Sequence, residues 1–177
     1  MEYSDYDLIR GIKSGDGDAL ELLVRRWYPR IFGYVQKTLG NEQDAYDITQ
    51  EIFLSVVQNI KAIYPWSRFK SWIFTIAHNK CLDFLRLRRP LDSTDICDVD
   101  IPDPSPLPDD LIESSLTVES ALNMLSTPQR ETVVLHYMYQ FTAKEIAHMT
   151  HTPLPTVKSR ITSAKRLLSK FLREDSS

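Results

Sequence analysis

A proline- and aspartate-rich segment near the middle of the chain limits how this sequence can fold. The segment LDSTDICDVDIPDPSPLPDD, residues 91–110, places four prolines within seven positions and shows no hydrophobic periodicity. Such a composition favours an extended tether with some polyproline character over a packed element. The sequence therefore predicts two small domains, residues 1–90 and 113–177, joined by a flexible acidic linker over residues 91–112.

Helical periodicity dominates both parts of the chain. In DAYDITQEIFLSVVQNI, apolar side chains recur every three or four residues and predict one buried stripe. The members of that stripe are Ala45, Ile48, Ile52, Val56 and Ile60. Gly40 suits the end of the preceding helix, and Asn41 suits the cap of the next one. No run of alternating strand residues competes with this pattern, so we predict an all-α protein.

Charge is strongly segregated along the chain, although the net charge is only −3. Residues 67–90 contain six Lys or Arg and one Asp, and residues 155–173 contain six Lys or Arg and no acid. Between them, residues 91–119 contain nine Asp or Glu and no basic residue. Each basic block alone is compatible with a solvated helix face. Two such blocks around an acidic one favour two separate contacts with a polyanion.

The C-terminal part carries a helix-turn-helix pattern in FTAKEIAHMTHTPLPTVKSRITSAKRLLSKFL. Thr142 and Glu145 predict a capping box at the first helix, and Pro155 suits the first turn of the second helix. The turn between them contains no Gly. The basic and hydroxyl side chains of the second helix can bind phosphates or read base edges. The candidate DNA contacts are Thr156, Lys158, Ser159, Arg160 and Lys165. A plain helical hairpin is the alternative interpretation.

Several function classes lack support in the sequence. No window approaches the ~20 apolar residues that cross a bilayer, and the acidic N-terminus does not resemble a signal peptide. Cys81 and Cys97 are too few and too poorly spaced for a disulfide framework or a zinc site. No catalytic triad, phosphate-binding loop or pair of acid–base carboxylates is found. We expect a cytoplasmic, non-enzymatic protein without membrane insertion, cofactor or metal.

Three stretches, taken in order, resemble the successive motifs of bacterial sigma factors. They are DAYDITQEIFLSVVQNI, FKSWIFTIAHNKCLDFLRLRRP and LNMLSTPQRETVVLHYMYQFTAKEIAHMTHTPLPTVKSR. The compact two-domain organisation is similar to that of the extracytoplasmic-function (ECF) group, and the likeness covers nearly the whole chain except the linker. The resemblance implies a promoter-specificity subunit. Its partners would be core RNA polymerase, promoter DNA and an anti-sigma factor.

The resemblance also implies which residues meet each partner. In this family, acidic and amide side chains of the first motif dock on the clamp helices of the polymerase. The matching residues here are Asp44, Asp47, Gln50 and Glu51. The second motif and the loop before it correspond to the part that recognises the minus-ten promoter element. The candidate contacts there are Trp66, Arg68, Phe69, Asn79, Lys80 and Arg86. The helix-turn-helix corresponds to the part that reads the minus-thirty-five element.

The chemistry of the second motif suits the opening of a duplex. Extruding a base from the stack costs a few kcal/mol, and stacking on an aromatic ring offsets ~1–3 kcal/mol per base. Trp66 offers such a ring, and Asn79 offers both a donor and an acceptor to a base edge. Lys80 and Arg86 can bind the phosphates of the strand.

Two other functions stay open on the sequence alone. A stand-alone helix-turn-helix regulator would use only the C-terminal part, and an enzyme acting on single-stranded nucleic acid would need a metal or nucleophile cluster. At the residue level, Trp66 and Phe69 could belong to the core instead of the DNA surface. Gln140 stands where the family frequently has Gly, so a positive φ at that position would strain the bend.

Overall fold

The computed structural model describes residues 3–88 and 115–175 of the chain. Every element in these residues is helical, so the predicted all-α fold is confirmed. The chain divides into two compact units, Met1–Arg89 and Pro90–Ser177. The linker predicted for residues 91–112 lies outside the described residues.

The described part of the first unit consists of four α-helices and a loop. The helices are Asp5–Lys13 (α1), Gly17–Leu39 (α2), Glu42–Asn59 (α3) and Phe69–Arg88 (α4). Residues 60–68, called the 60–68 loop below, join α3 to α4 through two short 3-10 turns. Gly40 ends α2 with a left-handed φ of 72°, and the Asn41 side chain accepts a hydrogen bond from the main-chain N–H of Asp44. The predicted helix end and cap are both confirmed.

An aromatic cluster joins α2 to α4 in the core of the first unit. The Trp27 ring lies edge-on to Phe69 and Phe74, with ring centroids 5.4 and 6.5 Å apart, and Tyr34 lies edge-on to Phe74 at 5.2 Å. All four rings are buried. Such pairs contribute ~0.5–1.5 kcal/mol each beyond the burial of their area. The apolar stripe predicted on α3 is buried as well: Ala45, Ile48, Ile52, Val56 and Ile60.

The N-terminal helix α1 is fastened to α2 by polar contacts. Ser4 and Asp7 form a capping box at the start of α1, and the hydrogen bonds from Ser4 hold the pKa of the Asp7 carboxyl below its ordinary value. The Asp5 carboxylate accepts hydrogen bonds from the Arg26 guanidinium at 2.7 Å and from the Trp27 indole N–H at 3.2 Å. The position of α1 is therefore tied to the aromatic cluster.

The second unit contains the predicted helix-turn-helix. Its helices are Ser115–Asn123 (α5), Thr127–Val133 (α6), Ala143–Met149 (α7) and Leu154–Asp175 (α8), with a π-helical segment at Val134–Met138. The Thr142–Glu145 capping box begins α7 as predicted. Helix α8 packs against α6 and α7. The buried side chains of this unit include Val134, Leu135, Phe141, Ile146, Met149, Val157, Ala164 and Leu168.

Two bends around α7 use a left-handed backbone without glycine. Gln140, just before α7, has a φ of 59°, and His151, in the turn before α8, has a φ of 50°. For an L-residue this conformation costs about 1–2 kcal/mol. The Gln140 side-chain amide donates a hydrogen bond to the carbonyl oxygen of Tyr137 at 2.7 Å, which offsets part of that strain. The strain anticipated at Gln140 is present.

Neighbouring leucines on α2 provide a matched test of the core. Leu23 is 1% exposed and Leu22 is 43% exposed. We predict that Leu23→Ala lowers the free energy of unfolding of the first unit by ~2–5 kcal/mol, because it leaves a cavity, whereas Leu22→Ala changes it by less than ~1 kcal/mol. Urea denaturation followed by tryptophan fluorescence isolates this unit, since Trp27, Trp66 and Trp72 all lie in it. Equal destabilisation by the two substitutions would contradict the packing described.

Candidate polymerase and nucleic-acid interfaces

The outward face of α3 combines acidic, amide and apolar side chains. Asp47, Gln50 and Glu51, three of the four residues predicted to bind polymerase, are exposed. Tyr46 and Leu54, which are not among the predicted contacts, are exposed beside them. Steps of about one helical turn place these positions on one side of α3. In the sequence, Tyr46 and Leu54 can be recognised as apolar residues on an otherwise polar helix face. A face that combines acidic and apolar side chains suits a basic partner with an apolar surface.

Asp44, the fourth predicted polymerase contact, has a different environment. Its side chain is only 14% exposed, and its carboxylate accepts two hydrogen bonds from the Arg88 guanidinium, at 2.7 and 2.9 Å. The same guanidinium lies 4.4 Å from the centre of the Phe84 ring. A bidentate pair of this kind has a defined geometry. Asp44 therefore fastens the end of α4 to the start of α3.

A second ion pair crosses the same two helices. Lys80 Nζ lies 3.1 Å from Glu51 Oε2, and both side chains remain partly exposed. Together, this pair and the Asp44–Arg88 pair connect two carboxylates that are predicted to bind polymerase to two basic side chains of α4. Partly exposed pairs stabilise a fold by only ~0–1 kcal/mol, so a stronger external partner can displace them.

The 60–68 loop displays aromatic and basic side chains at the surface. Tyr64 is 83% exposed, and Arg68 is also exposed. Trp66 is half-buried: its ring centroid lies 4.7 Å from that of Tyr6 on α1, and Lys13 Nζ lies 5.1 Å from the Trp66 ring. The loop thus leaves the Tyr64 ring accessible to solvent and holds the Trp66 ring against α1.

Phe69, in contrast, faces the core. It is 2% exposed, and its ring contacts the rings of Trp27 at 5.4 Å and Trp72 at 5.8 Å between centroids. A ring buried to this extent offers no face to a base. The structure therefore places Phe69 in the core, the alternative that the sequence left open, and not on the surface proposed for minus-ten DNA.

Polar and aromatic side chains lie in a row along the outer side of helix α4. Asn79 and Arg86 are exposed, and Trp72 is half-buried. The three positions are seven residues apart, about two helical turns, so they lie along one face. The Arg86 guanidinium lies 3.9 Å from the Asp83 carboxylate, and both side chains are largely exposed. Trp72, which is not among the DNA contacts that the sequence predicts, adds a partly exposed aromatic side chain to this face.

The second helix of the helix-turn-helix keeps its candidate DNA contacts at least partly accessible. They are Thr156, Lys158, Ser159, Arg160 and Lys165. Val157 and Ala164 are buried beneath them and fix the helix on its unit. Arg166 is exposed and lies seven residues after Ser159, two turns along the same face. Arg166 belongs to the basic block of residues 155–173, but it is not among the DNA contacts that the sequence predicts.

Two kinds of feature are missing from the parts of the chain that the structure describes. Residues 3–88 and 115–175 contain no grouping of three or more His, Cys, Asp or Glu side chains suited to a metal ion. The helices in these residues are also too short or too polar to cross a membrane.

The chain matches two family models and several characterised proteins. Sigma-70 region 2 matches residues 23–90, and Sigma-70, region 4 matches residues 115–168. The ECF RNA polymerase sigma factor SigW of Bacillus subtilis is 30% identical over 98% of this chain and 100% of its own length. The RNA polymerase sigma-H factor of Pseudomonas aeruginosa is 27% identical over 96% of this chain and 94% of its own. The solved structure of CnrH in complex with the cytosolic domain of CnrY is 26% identical, with a TM-score of 0.67, over 97% of this chain and 98% of that one.

Both regions are matched in order, and a relative is similar along its full length, so the chain belongs to the sigma-70 family, in its ECF group. It is an RNA polymerase sigma factor that acts in transcription initiation. Members of this family are not enzymes, because the polymerase performs the nucleotidyl transfer. The predicted function and non-enzymatic character are confirmed, and the region 2 match argues against a stand-alone helix-turn-helix regulator.

The Lys80–Glu51 pair leads to a prediction about the protein without polymerase. We expect Glu51→Gln to raise its affinity for a labelled single-stranded oligonucleotide about two- to fivefold at low salt, because Lys80 loses a competing carboxylate. Glu42→Gln is the charge-matched control, since Glu42 begins the same helix and is in none of the ion pairs found among the described residues. Fluorescence anisotropy measures both affinities, and an equal gain for the two variants would contradict the prediction.

Proposed function

We propose that this sigma factor works in the cytoplasm and divides promoter recognition between two domains, residues 1–90 and 113–177, with residues 91–112 as the linker. The observation that carries the proposal is the pairing of two chemically different surfaces in one small unit. The α3 face is acidic and apolar, whereas the 60–68 loop and the outer side of α4 are aromatic and basic. One unit can thereby bind polymerase and DNA at the same time.

The α3 face is the proposed polymerase-docking surface. Asp47, Gln50 and Glu51 supply negative charge and hydrogen-bond acceptors, and Tyr46 and Leu54 supply apolar area for the centre of an interface. Asp44 acts with them by holding α4 through Arg88. A basic helix with exposed apolar side chains is the complementary partner.

The 60–68 loop and α4 form the proposed minus-ten surface. Trp66 supplies a stacking face for an unpaired base, and Asn79 a donor and acceptor for a base edge. Arg68, Lys80 and Arg86 neutralise phosphates of the single strand. Phe69 supports this surface from the core.

The helix-turn-helix is the proposed reader of the minus-thirty-five element. Side chains near the start of a recognition helix reach base edges in the major groove. Thr156, Lys158, Ser159 and Arg160 occupy the first two turns of α8. Lys165 lies further along the helix, where a phosphate contact is the suitable role.

An anti-sigma factor is the proposed inhibitory partner. The solved structure of CnrH is a complex with the cytosolic domain of CnrY, so a similar fold accommodates a second protein. A partner that covers the α3 face would block polymerase docking directly.

Run-off transcription with purified core polymerase on genomic fragments tests this function. We predict promoter-specific transcripts that require the protein. Arg160→Ala should retain core binding while lowering these transcripts about five- to 150-fold, the effect of losing one base contact of ~1–3 kcal/mol. Asp47→Ala should weaken core binding, whereas Asp18→Ala, which removes an exposed acid from the first turn of α2, should leave it unchanged. Absence of specific transcripts with the wild-type protein would refute the proposal.

A further inference from the structure

Helix α1 contacts the 60–68 loop at two points. The Tyr6 and Trp66 rings are tilted by 53° with centroids 4.7 Å apart. Lys13 Nζ lies 5.1 Å from the Trp66 ring centroid and donates a hydrogen bond to the carbonyl oxygen of Ile63 at 3.0 Å. Aromatic and cation–π contacts of this geometry are attractive. Both the side chain of Trp66 and the main chain of the loop are therefore held by α1.

The Trp66 indole has no other polar anchor among the described residues. Its Nε1–H is buried and lacks a hydrogen-bond partner. Since no hydrogen bond orients the ring, its orientation depends on packing, to which Tyr6 and Lys13 contribute directly. Helix α1 is itself firmly placed, because Leu8, Ile9 and Ile12 are buried on its inner side.

The aromatic surface continues from the loop onto α1. Tyr6 is 54% exposed although it contacts Trp66, so part of its ring remains open to solvent. Tyr64 in the same loop is almost fully exposed. The Sigma-70 region 2 match begins at residue 23, so α1 lies before the matched residues.

We propose that α1 is a working part of the promoter-opening surface, in which Tyr6 and Lys13 are positioning residues for Trp66. Lys13 fixes the loop through Ile63, and Tyr6 fixes the half-buried indole in the orientation in which it meets the unstacked base of the single strand. The inference rests on the proposed function, because it takes Trp66 as the base-stacking residue. On this proposal, promoter opening requires α1 in addition to the 60–68 loop and α4.

The test compares two templates that carry a promoter transcribed by the wild-type holoenzyme. One is fully duplex, and the other is a heteroduplex in which the minus-ten region is already unpaired. We expect Tyr6→Leu to lower run-off transcription about three- to tenfold on the duplex and less than about twofold on the heteroduplex, because the lost contact assists base extrusion. Tyr6→Phe, which keeps the ring, should restore duplex activity. Tyr3→Leu is the matched control, since Tyr3 is 59% exposed and its contact with Arg26 uses its main-chain carbonyl.

A double-mutant cycle then asks whether Tyr6 acts through Trp66. We expect the Tyr6→Leu/Trp66→Leu protein to match Trp66→Leu within about twofold on the duplex template, because residues in contact are not additive. Lys13→Met should reproduce the duplex-selective loss of Tyr6→Leu. Equal impairment of Tyr6→Leu on both templates, full duplex activity of that variant, or multiplicative effects in the cycle would each overturn the inference. If Trp66 is not the base-stacking residue, Trp66→Leu alone retains full duplex activity, which distinguishes that failure from a failure of the role given to Tyr6. If the proposed function as a whole fails, the wild-type holoenzyme gives no specific transcript on the duplex.

Discussion

The edge-on packing of Trp27 against Phe69 and Phe74 determines the positions of α1, the 60–68 loop and α4 in the first unit. Phe69 is the first residue of α4, so its burial anchors both the basic helix and the adjoining end of the 60–68 loop. The Trp27 indole N–H donates to Asp5, which brings α1 to the same cluster. Protein interiors are close-packed, so a displacement of one ring must move its neighbours. A single buried cluster therefore sets the positions of the loop, the basic helix and the N-terminal helix together.

The α3–α4 ion pairs place the two proposed partner surfaces in electrostatic contact. The Asp44–Arg88 pair has a bidentate geometry, whereas the Lys80–Glu51 pair is a single contact between partly exposed side chains. A basic polymerase surface that binds Glu51 would release Lys80 for phosphate, and phosphate bound by Lys80 would release Glu51. By linkage, such an exchange couples the two binding events with the same free energy in both directions. Coupling of this kind favours DNA binding by the assembled holoenzyme over binding by the sigma factor alone.

Local signals were sufficient to predict much of the fold, while contacts between distant residues were not predictable from them. The buried stripe of α3 follows from periodicity, and the Thr142–Glu145 capping box from residue type and spacing. Phe69 lies next to an exposed loop, and periodicity at a helix terminus does not fix which way a ring faces. Tyr6 and Trp66 are sixty positions apart, and each looks like an ordinary surface aromatic in the sequence. Their contact follows from the packing of α1, for which the sequence gives no pairing signal.

Photo-crosslinking most directly tests the arrangement of two partner surfaces on one unit. The photoreactive residue p-benzoyl-phenylalanine can replace Tyr46 on α3 or Tyr64 in the 60–68 loop, two exposed tyrosines whose replacement leaves the core intact. In a holoenzyme–promoter complex, we predict that the Tyr46 position crosslinks to a polymerase subunit and that the Tyr64 position crosslinks to single-stranded promoter DNA near the minus-ten element. Crosslinking of the Tyr46 position to DNA, or of the Tyr64 position to polymerase alone, would contradict the assignment of the two surfaces.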